Sequence, residues 1–156
     1  MLPVGELSPF PDVGPRPRYT RLTPDEQHTQ LSLWAMARSP LIAGANLTLL
    51  DNETLRLLTN PDILKIDQTA VAARQALRGG DLVVWTADLP GNRHALAVFN
   101  LGEKPITVER DLASFGLPAG QYKVKNAWTG DRLPVTSRVT ATLAPHASTV
   151  LMLDQK

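Results

Sequence analysis

The chain has no cysteine among its 156 residues, which excludes a disulfide framework and thiolate metal sites. It has no excess of charge. Sixteen basic and fifteen acidic residues leave a formal +1, and the basic residues are scattered, so no footprint for nucleic acid or an anionic membrane is present. No apolar run approaches the roughly 18 residues of a spanning helix. The first ten residues, MLPVGELSPF, have neither the basic start nor the apolar stretch of a secretory signal. Aromatic residues make up only 5% of the chain, and three of them are tryptophans.

The usual catalytic signatures are missing as well. The three histidines, His28, His94 and His146, show no H-x-x-x-H or H-E-x-x-H spacing, so no metal site is expected. There is no G-x-S-x-G around Ser32, Ser39 or Ser148. RGGD and IAGAN lack the length and the lysine of a phosphate loop. Carboxylates are plentiful, but local structure accounts for most. Asp25, Glu26 and Asp51 read as helix-cap residues and Asp131 as a turn residue, while Asp81 and Asp88 flank a strand. No cofactor is implied.

Proline, in contrast, is abundant. Six of the thirteen (Pro3, Pro9, Pro11, Pro15, Pro17, Pro24) fall within the first 24 residues, which predicts a long loop over residues 3–21. A helix follows, with Thr23 as N-cap, Pro24 in the first turn and Glu26 closing a T-x-x-E capping box. Its apolar arc is wide, taking in Leu31, Trp34 and Ala35 together with Leu33, Met36 and Ala37, and Pro40 is expected to end it. PLIAGANL, residues 40–47, reads as a short strand buried on both faces. Asn46, at its end, can stabilise the following loop or bond a ligand. A second helical stretch starts at Asp51 and breaks at Asn60–Pro61. Residues 71–80 read as a connector.

From Leu82 onward the pattern is strand, turn, strand. LVVWTAD, HALAVFNLG, KPITVER, GQYKVKN with its partner after Thr129-Gly130-Asp131, RVTATLA and ASTVLML give seven or eight short segments separated by turn signals. That is the pattern of an antiparallel sandwich. Trp34 and Trp85 are expected in the core. Trp128 precedes a turn, where it can pack into the strand or present its ring to a sugar.

Three N-terminal segments, MLPVG, LTPDEQHTQLSLWAMARSPLIAGANL and ETLRLLTNPDILKIDQ, resemble the C-terminal third of α-galactosidases of the melibiase family, glycoside hydrolase family 27 of clan D. DLVVWTADLPGNRHALAVFN, SFGLPAGQYKVKNAWTGDRL and LAPHASTVLML are similar to that family's C-terminal domain. The resemblance implies an α/β remnant, the last units of a (β/α)8 TIM barrel, followed by an all-β antiparallel Greek-key β-sandwich. Residues 1–70 would hold the end of barrel strand seven, helix seven, strand eight and helix eight. Residues 71–80 would be a linker and residues 81–156 the sandwich.

The implied activity is retaining hydrolysis of terminal α-linked galactose, with an α-galactoside as substrate of the full-length parent. Retaining chemistry needs two carboxyl groups about 5 Å apart. In the family both catalytic aspartates precede the position matched by Met1, so the chain alone is expected to be inactive. Met1 matches a methionine that lines the galactose pocket. One departure is DQTAVA, where the family often has NQDPLG.

An extracellular or periplasmic location is implied for the full-length family. Loss of the barrel would expose Leu31, Trp34, Leu41, Ile42 and Leu55 and favour self-association. The alternative reading is a non-catalytic carbohydrate-binding or interaction sandwich.

Overall fold

The computed structural model describes residues 1–7 and 18–156. Most of the proline-rich loop, including Pro9, Pro11, Pro15 and Pro17, lies outside the described residues. On either side of it, β1 (Glu6–Leu7) and β2 (Arg18–Tyr19) pair antiparallel.

Helix α1 (Pro24–Met36) starts as expected. The Thr23 hydroxyl accepts from the Glu26 amide at 3.3 Å, and the Glu26 carboxylate accepts from the Thr23 amide at 2.7 Å. It stops short of Pro40. Ala37 caps it, and Arg38 turns the chain away at a φ of 52°. Helices α2 (Asn52–Leu58) and α3 (Pro61–Thr69) divide at Asn60, as predicted. Asp51 caps α2 through the Thr54 amide at 2.7 Å. The Asn60 side-chain oxygen caps α3 through the amides of Asp62 and Ile63, both at 3.0 Å.

Residues 40–47 do not form the expected doubly buried strand. Ala43 makes an isolated parallel bridge to Leu2 and Ala45 an isolated antiparallel bridge to Leu7. The Leu2 amide donates to the Ile42 carbonyl and the Gly44 amide to the Leu2 carbonyl, both at 2.8 Å. A ladder needs partners along its length, and here one short neighbour touches the run at single residues. Ile42 is 56% exposed for the same reason. Gly44 allows the close approach, since a Cβ there would stand 2.8 Å from the Leu2 carbonyl oxygen.

The stretch expected as a connector is a strand. β3 (Val71–Gly79) pairs antiparallel with β4 (Leu82–Leu89). Register shifts between Val71 and Arg74 and between Gln75 and Leu77 break its alternation. That is why VAARQALRG shows no period of two.

β5 (Arg93–Asn100), β6 (Ile106–Asp111), β7 (Tyr122–Asn126), β8 (Arg132–Thr136), β9 (Arg138–Leu143) and β10 (Ser148–Gln155) complete the fold. The large sheet runs β3-β4-β5-β10-β7-β8, and β6 pairs with β9 in a second sheet. The chain passes between the two sheets, and the last strand inserts between β5 and β7.

The large sheet is a middle layer with two apolar faces. Val84 of β4, Leu96 and Val98 of β5 and Leu153 of β10 face Val108, Val139 and Leu143 of the small sheet. Residues pointing the other way on the same strands, Val83, Ala87, Ala95, Ala97, Phe99 and Val150, face Ala35 and Met36 of α1 and Ile63 and Ile66 of α3. Successive residues in a strand point to opposite faces. A strand covered on both sides is therefore apolar along its middle, as β5 is from Ala95 to Phe99, and it is buried from His94 to Asn100. Leu31, expected to be exposed, is only 1% exposed and packs with Leu2, Val4 and Leu57. Trp34 and Leu41 are half-buried beside them, while Leu55 stays 46% exposed.

Candidate functional site

Three helix starts and one strand end converge on a cleft of about 680 Å³. Pro24 and His28 of α1, Asp51 and Arg56 at α2, Asn60 before α3 and Trp128 after β7 all line it, and Gly5, Tyr19 and Thr20 close one side. The volume lies in the range of small-molecule sites.

Trp128 is half-buried and held from three directions. Its Nε1–H donates to Ser32 Oγ at 2.9 Å, and its amide donates to Asn126 Oδ1 at 2.9 Å. Asn60 Nδ2 donates to the carbonyls of Ala127 and Trp128 at 3.1 and 3.2 Å. The His28 ring stands nearly perpendicular to the indole, with centroids 4.5 Å apart. His28 Nδ1 donates to the Pro24 carbonyl at 2.8 Å, which turns Nε2 away from the helix backbone.

The charged groups of the cleft are locally satisfied. The Asp51 carboxylate accepts from the Thr54 amide and hydroxyl, and these bonds hold its carboxyl below the usual range. Glu53 pairs with Arg56 at 2.9 Å, both exposed. Gly5 has a φ of 62°, and a Cβ there would fall 2.6 Å from Thr54 Oγ1, so only glycine lets the backbone reach α2.

A second titratable pair lies on the sandwich. His94, 7% exposed, bonds Asp88 Oδ1 through Nδ1 at 2.8 Å, and its ring meets Tyr122 edge-on at 6.2 Å between centroids. Burial raises the Tyr122 hydroxyl pKa, and that hydroxyl donates to the Pro118 carbonyl. Among the described residues, no group of three or more His, Asp or Glu side chains is arranged to hold a metal ion. Met1 does not reach the cleft. It is 77% exposed and lies beside Gly44.

The convergence of Trp128 with His28 and Ser32 spans about a hundred residues of sequence and has no local signal. The one readable hint is a tryptophan directly before the Thr129-Gly130-Asp131 turn.

Residues 79–153 match the α-galactosidase C-terminal β-sandwich domain. An α-galactosidase of Coffea arabica is 28% identical over 136 residues, covering 85% of this chain. The whole chain superposes on a Bacillus halodurans protein assigned as an α-N-acetylgalactosaminidase, at a TM-score of 0.94 and 35% identity. Residues 79–153 carry the melibiase C-terminal sandwich domain, and the chain as a whole is similar to the C-terminal part of family 27 glycosidases. A family 27 β-L-arabinopyranosidase of Geobacillus stearothermophilus gives a TM-score of 0.91 at 36% identity over 99% of this chain. The chain spans 36% of the Coffea enzyme's length and 38% of the Bacillus protein's. β3–β10 contain the melibiase sandwich, and the matches extend through the helices that cover its second face.

Proposed function

We propose that the chain carries the closing part of a retaining glycosidase acting on terminal α-linked galactose, and that it does not turn over substrate alone. The observation that carries this reading is the match over the full chain, helices included, to proteins of which it spans little more than a third. Residues 1–70 are read as the end of a (β/α)8 barrel and residues 81–156 as the sandwich that buttresses it. The parallel bridge between Leu2 and Ala43 supports this, because neighbouring barrel strands run parallel. Met1, beside Gly44, is read as a lining residue of a sugar pocket completed by further barrel strands. The two carboxyl groups of retaining chemistry are assigned to that further part.

The deciding experiment incubates the chain with p-nitrophenyl α-D-galactoside. No release of nitrophenol above buffer is expected from the chain alone. Release that persists through repurification would overturn the reading. Exposed Met1, Ile42, Leu47, Leu49 and Leu55 favour self-association of the isolated chain. Sedimentation velocity is expected to show species larger than monomer, and a sharp monomer at all concentrations counts against this.

A non-catalytic carbohydrate-binding module remains the second reading. The observation that favours it is the aromatic cleft at Trp128, which needs no catalytic carboxylate.

A further inference from the structure

We propose that the Trp128 cleft is a non-catalytic binding site for a neutral pyranose, separate from any pocket at Met1. The inference needs no catalytic group and so goes beyond the glycosidase reading.

Three observations carry it. The first is preorganisation. Trp128 is fixed by Ser32, Asn126 and Asn60, so its ring is held in place before any ligand arrives. The second is charge. Among the described lining residues, Asp51 is committed to Thr54 and Glu53 to Arg56, which leaves one surplus carboxylate and no uncompensated cation. A phosphate or uronate has nothing to pair with there, whereas a neutral polyol meets no penalty. The third is the supply of polar atoms in the cleft. Among the described residues, Tyr19 Oη, His28 Nε2 and Gln27 Oε1 have no hydrogen-bond partner, and all three side chains line the cleft. A pyranose offers an apolar ring face to an aromatic side chain and a rim of hydroxyls to such groups.

The test follows the Trp128 indole N–H by NMR while methyl α-D-galactopyranoside is added to the full chain. Saturable shifts with a millimolar dissociation constant are expected, as suits a small ligand. Galacturonate, the anionic counterpart, should bind more weakly. Tyr19, 64% exposed, and Arg56, with a side chain 75% exposed, can be changed without touching the core. Tyr19→Ala is expected to weaken binding of the neutral sugar by about tenfold, whereas Arg56→Ala, which frees the Glu53 carboxylate, should weaken galacturonate more than it weakens the neutral sugar. Absence of saturable shifts, a preference for galacturonate, or unchanged affinity in Tyr19→Ala would each overturn the proposal. None of these results depends on the nitrophenyl assay.

Discussion

The indole N–H of Trp128 donates to the hydroxyl of Ser32 across 2.9 Å, joining the turn after β7 to the middle of α1. Ser32 is fully buried, and its oxygen also accepts from the Ser148 hydroxyl at 3.3 Å. Ser32→Ala leaves a half-buried indole N–H without its partner. The expected cost is about 1–3 kcal/mol, read as a lower urea midpoint at constant slope. An unchanged midpoint would mean that water replaces the hydroxyl at no cost.

The helices and the sandwich share one core, and this sets the second prediction. Val83, Ala87, Ala95, Ala97, Phe99 and Val150 form a continuous apolar face under Met36, Ile63 and Ile66. A chain restricted to residues 80–156 loses that cover and also β3, the partner of β4. It is expected to aggregate or to bind ANS more strongly than the full chain does. A monomeric 80–156 protein with a cooperative unfolding transition would show that the sheet does not need its helices.

Much of this fold was readable because its signals are local. The Thr23–Glu26 capping box, the break at Asn60–Pro61 and the turns at Thr129-Gly130-Asp131 and Pro145–His146 each depend on a few adjacent residues. What escaped depends on distant partners. β3 was hidden because two register shifts erase its alternation, and residues 40–47 looked like a strand because composition cannot report a missing neighbour. The apolar runs of β4 and β5 pointed to burial without revealing that a helical layer supplies the second cover. The cleft was the least legible feature, since His28, Ser32 and Trp128 meet only through the tertiary fold.

Asn100 organises the turn that closes β5. It is fully buried, and its Nδ2 donates to the carbonyls of Lys104, Leu143 and Ala144 at 2.8, 3.3 and 2.8 Å. Its Oδ1 accepts from the Gly102 amide at 2.9 Å. Asn100→Ala strands these groups, with an expected loss on the order of 3 kcal/mol in chemical denaturation. A loss below about 1 kcal/mol would mean that the turn rearranges to satisfy them.

Asp51 links stability to pH in one direction. Its carboxyl is held below the usual range, chiefly by the Thr54 amide. A group depressed in the folded state contributes stability above its unfolded pKa and loses it as pH falls through the folded value. Asp51→Ala is expected to cost about 0.5–2 kcal/mol at neutral pH, and the gap to the parent should close on acidification below about pH 4. A gap that persists at low pH would assign the loss to packing rather than to the cap.

Asp67 has the opposite sign. Its Oδ1 is buried without a partner among the described residues, and burial pushes its carboxyl up, with Arg38 opposing part of the shift. The folded protein therefore holds this proton more tightly than the unfolded chain. Its contribution to stability is complete below the unfolded pKa of about 4 and is lost as pH rises through the folded value. At pH 7 the ionised group is a burden that an amide would not impose. Asp67→Asn is thus expected to raise the melting temperature at pH 7, with the gain shrinking toward zero near pH 4. A lower melting temperature at pH 7 would mean that attraction to Arg38 outweighs the cost of burial, and an equal gain at both pH values would mean that the benefit comes from the amide's hydrogen bonds rather than from removing charge.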